Sequence, residues 1–227
     1  MGRDLRDAVD RGWKTGAALD AALAAGEIDE DVWYARQQDA IVPHYLAATS
    51  PRAQSGHSGD AERWRRARGF VIEAVDRDGT FLDIGCANGH LMESVVIWGA
   101  EKGVVVEPYG VDLSPELVAL AQRRLPHWAN RIWTGNGLTV QAPRRMTFVH
   151  VMALSIVPVT RRGELLDHLL GAVCAPGGRL IIGPFNEIAE HHTAMDEVEA
   201  LGGVLGGQIE RPHRTPGIVR RMLWIDA

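Results

Sequence analysis

A chain of 227 residues, 46% of them hydrophobic, is long enough for a substantial core, in one large domain or in a domain with an appendage. Its net charge of −5 argues against a broad nucleic-acid surface, and its two isolated cysteines, Cys86 and Cys174, form neither a disulfide framework nor a metal-ligand spacing. With no signal-peptide pattern and no apolar run long enough for a membrane span, the expectation is a cytoplasmic protein with no membrane contact.

Residues 4–25 and 29–47 read as helices with alanine-rich faces, and Pro43 is expected to kink or end the second early. Residues 49–59 carry strong turn chemistry, and a third helix is expected over 60–75. Arg63, Arg65, Arg66 and Arg68 form a basic run on that helix, which reads as a solvated face and is assigned no chemistry.

The most informative stretch runs from Phe81 to His90. An apolar run ends in Asp83, followed by Gly85, small residues, Gly89 and a helix-compatible run, so a buried strand feeds a tight turn that opens into a helix. The glycines remove side chains where a ligand must lie against the backbone, Cys86 serves as a small spacer, and Asp83 is expected to face the same crevice. A dinucleotide site needs G-x-G-x-x-G, with the last glycine five positions after the first. Here that position is His90, and the last glycine comes one residue earlier.

A second strand, straddling Pro108 or starting after it, ends at Asp112. Ser114 suits an N-cap, Pro115 the first helical position and Glu116 the positive end of a helix, and Leu117, Leu120, Ala121 and Leu125 recur at helical spacing. An acid at such a strand tip is placed to accept two hydrogen bonds from ribose hydroxyls. Leu113 next to it suits an adenine face or the core. A short strand at 131–134 runs into Gly135-Asn136-Gly137, a sequence that also fits a turn with left-handed backbone. Further on come a buried strand at 146–151, whose His150 reads as a satisfied core residue, and an amphipathic helix at 163–174. A turn at 176–178, a strand at 179–183 and a helix at 188–201 follow. Two closing strands at 204–209 and 219–225 are joined by a loop suited to an antiparallel pair. Strands alternating with helices imply parallel pairing with right-handed crossovers.

The pattern D-x-G-x-(G/A)-x-G from Asp83 to Gly89, with Ala87 in place of the middle glycine, resembles the first motif of class I S-adenosylmethionine-dependent methyltransferases. The string APGGRLIIG at 175–183 is similar to that family's turn before its fifth strand. The resemblance covers residues 78–227. It implies an α/β fold: a doubly wound, mostly parallel, Rossmann-like seven-stranded sheet with an antiparallel last strand. Residues 78–227 would form the methyltransferase domain, and residues 1–77 a helical cap that covers the cofactor and builds the substrate pocket. S-adenosylmethionine would be held by Asp83, Gly85, Cys86, Ala87, Gly89, Asp112, Leu113, Asn136 and Gly137, with the Asn136 side-chain carbonyl taking the adenine amino group. Tyr34, His44, Arg52, His57 and Asn186, together with Trp33 and Tyr45, would face the substrate, and His191 and His192 would be bases. No Asn/Asp-Pro-Pro-aromatic sequence follows the fourth strand, and residues 152–158 hold no acid that would suit a magnesium ion. The resemblance therefore implies metal-independent, in-line methyl transfer to a small-molecule acceptor. An RNA methyltransferase and a non-catalytic adenosyl or nucleotide binder are the alternatives, and a nucleic-acid partner is not expected.

Overall fold

The computed structural model describes residues 16–227. The first part of the helix expected at 4–25 therefore lies outside the described residues. Residues 16–24 are helical and form α1. The next helix, α2 (Glu30–Ala47), starts where Asp29 accepts a hydrogen bond from the Val32 N–H at 2.8 Å, with Glu30 and Asp31 at its positive end. Pro43 does not end it. The proline is exposed near the end of the helix, where the loss of one backbone bond is tolerated, and the helix continues to Ala47. The third helix, α3 (Ala61–Arg68), is capped by Asp60 and stops well short of residue 75. At Gly69 the chain tightens into a 3₁₀ turn, Gly69–Glu73, which buries Phe70, Val71 and Ile72.

Seven strands follow: β1 (Gly79–Ile84), β2 (Val106–Asp112), β3 (Ile132–Thr134), β4 (Met146–Val151), β5 (Cys174–Ile188), β6 (Gly207–Pro212) and β7 (Ile218–Asp226). They form one sheet in the order β3-β2-β1-β4-β5-β7-β6. The first five are parallel, whereas β7 runs antiparallel to both β5 and β6. Between them lie α4 (His90–Lys102), α5 (Pro115–Arg124), α6 (Arg162–His168) and α7 (Thr193–Ala200). This is the doubly wound α/β sheet expected from the sequence. Its order reverses between β1 and β4, which places a crevice at the carboxyl ends of the central strands.

Several boundaries differ from the sequence reading for identifiable reasons. β2 straddles Pro108, which sits where β3 has not yet begun to pair, since that pairing starts at Gly110. The turn at 176–178 is a bulge within β5: Cys174 pairs with Met146, and Arg179 already pairs with Phe148. α6 ends at His168 and passes into a wider helical turn, Leu169–Val173. β5 runs on to Ile188 because β7 keeps pairing with it, through Glu187 to Val219 and Ile188 to Ile218. Hence α7 begins only at Thr193, not at 188. β6 starts at Gly207, where two adjacent glycines let the Trp224 ring lie against the backbone.

Alternating strand residues feed two cores. Leu82, Ile84, Val149, Val151, Leu180 and Ile182 pack against Leu165 and Leu166 of α6 and Leu169 of the turn that follows it. Phe81, Phe148, Ile181 and Met222 point the other way, to Trp64, Phe70, Val71, Leu91 and Val95. The sheet unit thus draws on α3 and its following turn, ahead of residue 78. Among the described residues no helix is long and apolar enough to cross a membrane.

Candidate cofactor and acceptor site

The turn after β1 is held from beneath. The Gly85 and Cys86 N–H groups both donate to the Val111 carbonyl, at 2.8 and 3.0 Å. Gly85 has φ +80°, and a Cβ there would meet no atom within 4 Å, so its outer face is open. Ala87 has φ +48°, a left-handed conformation rare for a residue with a Cβ. Gly89, at φ +74°, precedes α4, and a Cβ there would lie 2.6 Å from Leu125. Cys86 is buried among Met92, Val118 and Leu125, and burial pushes its thiol well above the usual range. Cys86 and Gly89 therefore shape the turn from within the core and do not line the crevice.

Asp112 ends β2 beside this turn. One carboxylate oxygen accepts from the Ser114 N–H at 2.9 Å, the other from the Ala87 N–H at 2.8 Å. Each oxygen keeps a further lone pair. Burial raises the carboxyl above its ordinary range, against the opposing pull of those N–H groups. Ser114 caps α5 through its hydroxyl, as the sequence indicated.

Above lies a cavity of about 880 Å³. Gly85, Ala87, Asp112, Leu113, Asn136 and Gly137 line its floor. α2 covers it with Trp33, Gln37, Ile41 and Tyr45, spaced one helical turn apart, and with Tyr34 and Gln38 on the neighbouring row. The buried Tyr34 hydroxyl makes no hydrogen bond within normal geometry; burial raises its ionisation range, and nearby Asn136 opposes the rise. Asn136 accepts from the Leu138 N–H at 2.9 Å through its side-chain oxygen. The far end of the cavity is walled by Met152, Ser155 and Ile156 after β4, by Phe185 and Asn186 of β5, and by Val198 of α7. There Arg162 bridges Asp20 and Glu197, and its Nε is buried without a partner.

Of the residues singled out from sequence, Tyr34, Trp33, Tyr45, Gly85, Ala87, Asp112, Leu113, Asn136, Gly137 and Asn186 meet at this cavity. Asp83 is placed differently. It is 3% exposed, and its Oδ1 lies 2.7 Å from Nδ1 of His150, which is 1% exposed. Nε2 of His150 lies 2.6 Å from the Gly183 carbonyl. A carbonyl only accepts, so Nε2 carries a hydrogen, and the other ring nitrogen is committed to Asp83. The pair therefore ties β1, β4 and β5 together, and neither residue lines the cavity.

His191 and His192 are exposed in the turn after β5 and do not line the cavity, because the extended strand carries them past it. The His191 carbonyl accepts a bond from Arg221 at 2.8 Å. His44 is exposed on α2, Arg52 donates to the Gly59 carbonyl at 3.1 Å, and the His57 ring packs 5.5 Å from that of Trp64; none of the three lines the cavity. Sequence reasoning missed Asn88. Fully buried, it donates to the Pro51 carbonyl at 2.9 Å and the Gln54 side chain at 3.2 Å, and accepts from the Ser55 hydroxyl at 2.5 Å and the His90 N–H at 3.1 Å. It also missed Asp20, Arg162 and Glu197, which only tertiary packing brings together. The stripe on α2 was readable as a one-turn repeat.

No family model matches the chain, and no curated protein matches its sequence. Solved structures do resemble it. One is 1,6-didemethyltoxoflavin-N1-methyltransferase of Burkholderia thailandensis, solved with 1,6-didemethyltoxoflavin and S-adenosylhomocysteine bound (TM-score 0.59, 16% identity, 88% of this chain and 90% of that one). Another is magnesium protoporphyrin IX methyltransferase of Synechocystis PCC 6803 with bound S-adenosylmethionine (TM-score 0.54, 17% identity, 87% and 95%). A third is the [4+2]-cyclase SpnF (TM-score 0.59, 13% identity, 84% and 93%). The chain has the fold of the class I S-adenosylmethionine-dependent methyltransferases.

Proposed function

We propose that this chain is an S-adenosylmethionine-dependent methyltransferase acting on a small molecule. One observation carries the reading: the Asp112 carboxylate lines a cavity whose floor is free of side chains at Gly85, and each of its oxygens retains a lone pair. The residues present fit an adenosyl group. Asp112 would accept from the ribose hydroxyls, and Leu113 would lie against the base. Asn136, with its remaining lone pair, and the unpartnered Tyr34 hydroxyl would meet the polar edge of the base. Leaving a buried hydroxyl unpaired is costly, which supports a ligand at that point.

Such a cofactor supplies a methyl group already activated by a sulfonium, so transfer depends mainly on holding a nucleophile in line with it. The chain's own contribution is enclosure. α2 lies over the crevice, and Ile156, Phe185 and Val198 line the space left for an acceptor. No histidine lines this cavity among the described residues, and Arg162 engages both Asp20 and Glu197. Asp20 and Glu197 themselves line the cavity, and a general base is needed only where the acceptor must lose a proton.

The fold is shared with a protein named as a cyclase, so the reaction has to be tested directly. Calorimetric titration with S-adenosylmethionine, S-adenosylhomocysteine and NAD is the first experiment, with binding of the two sulfur ligands and not NAD as the expected result. Methyl transfer from isotope-labelled cofactor into a metabolite extract is the second. Binding of NAD with no response to either sulfur ligand would reverse the reading.

A further inference from the structure

The basic run on α3 divides into two kinds of arginine. Arg65 pairs with Glu101 at 2.7 Å, and Arg66 pairs with Glu62. Arg63 and Arg68, with Arg220 of β7 and Arg214 of the β6–β7 turn, have no carboxylate partner among the described residues. Arg68 is largely withdrawn from solvent, yet its contacts are one 3.5 Å approach to the Pro184 carbonyl and the face of Trp64, 5.7 Å away. A guanidinium has five N–H donors, and burying it unpaired is costly. Asp83, whose charge reaches Arg68, is already held by His150.

These groups converge. Burial and then Arg68, Arg63 and Arg220 push His57 down to about 4. Burial and then Arg220, Arg214 and Arg63 lower His213. Arg220 is itself lowered by burial and by Arg63, Arg214 and Arg66. None of these arginines lines the cavity, but the cluster adjoins it at two points. Arg220 is the cross-strand partner of Asn186, which lines it, and Arg68 reaches the residue before Phe185, which also lines it. Like charges gathered beside a ligand chamber, with no carboxylate partner among the described residues, favour an anion there.

We infer that the acceptor is an acid, whose carboxylate or phosphate is received by Arg68 and Arg220 beside Asn186. This rests on the methyltransferase reading and adds the substrate class. The test uses the full chain saturated with S-adenosylhomocysteine, titrated calorimetrically with benzoate and, separately, with inorganic phosphate. Arg68→Gln and Arg220→Gln are compared with Arg65→Gln, an arginine that already has its own carboxylate. The expected result is binding of one anion, the stronger arm naming the group, with a loss of about tenfold or more in each of the first two variants. Arg65→Gln and the affinity for S-adenosylhomocysteine should stay within about twofold, which shows that the variants are folded. Absence of anion binding, or binding unchanged by Arg68→Gln and Arg220→Gln, overturns the inference while leaving the cofactor reading intact. Salt-steep binding of a short RNA in place of either small anion also overturns it. Failure of S-adenosylhomocysteine to bind overturns both readings.

Discussion

The tips of β1 and β2 each carry an aspartate, and the two side chains meet opposite fates. Asp83 stands in register with His150 of β4, so the neighbouring strand supplies a partner and the charge is spent inside the protein. Asp112 stands in register with Thr134 of β3, which is followed by Gly135. Only backbone N–H groups reach its carboxylate, leaving it open to the cavity. What an acid at a strand end does is decided by the next strand across, not by its place in the motif.

Breaking the first tip should have the largest effect. His150→Leu leaves Asp83 buried without its partner and should cost about 3–5 kcal/mol of stability in urea unfolding, the scale of a broken buried pair. A loss below about 1 kcal/mol would show that Asp83 finds another partner or water. Breaking the second tip should spare the fold and damage binding. Asp112→Ala should weaken S-adenosylhomocysteine by about 1–3 kcal/mol by calorimetry, the scale of a lost charge-assisted hydrogen bond. Unchanged affinity would move the ribose away from Asp112.

Acid sharpens the contrast. Burial raises the Asp112 carboxyl, so it takes up a proton at higher pH than an exposed aspartate. In that window the folded state binds more protons than the unfolded one, so this group's contribution to stability grows as pH falls. Ligand affinity should move the opposite way, dropping on acidification, and Asp112→Asn should show no such drop. The smallest effect belongs to the turn between the tips. Ala87→Gly relieves a left-handed alanine worth about 1–2 kcal/mol but restores backbone entropy of about 0.4–1 kcal/mol. A net gain below about 1 kcal/mol in thermal unfolding is expected, with cofactor affinity unchanged.

The parts legible from sequence are those fixed by local chemistry. The strand–turn–helix around Gly85, the Ser114 cap, the Asp112 tip and the alternation of strands and helices all depend on residues close in sequence. The errors fall where a distant partner decides. β7 draws β5 out to Ile188 and leaves His191 and His192 at the surface, β4 turns Asp83 inward, and Gly69 with the core beneath it shortens α3. Arg63 and Arg68 lay in plain view in the basic run, and Arg66 finds Glu62 within the same helix, but the carboxylate of Arg65 comes from α4 and Arg220 comes from β7, elements that no window around α3 contains.

Asn88 has a further consequence. Its side chain sits in the bend after β1 and is bolted to three residues of the segment just after α2. The cover over the chamber is thereby fastened to its floor at a single amide, which joins the segment after α2 to the bend after β1.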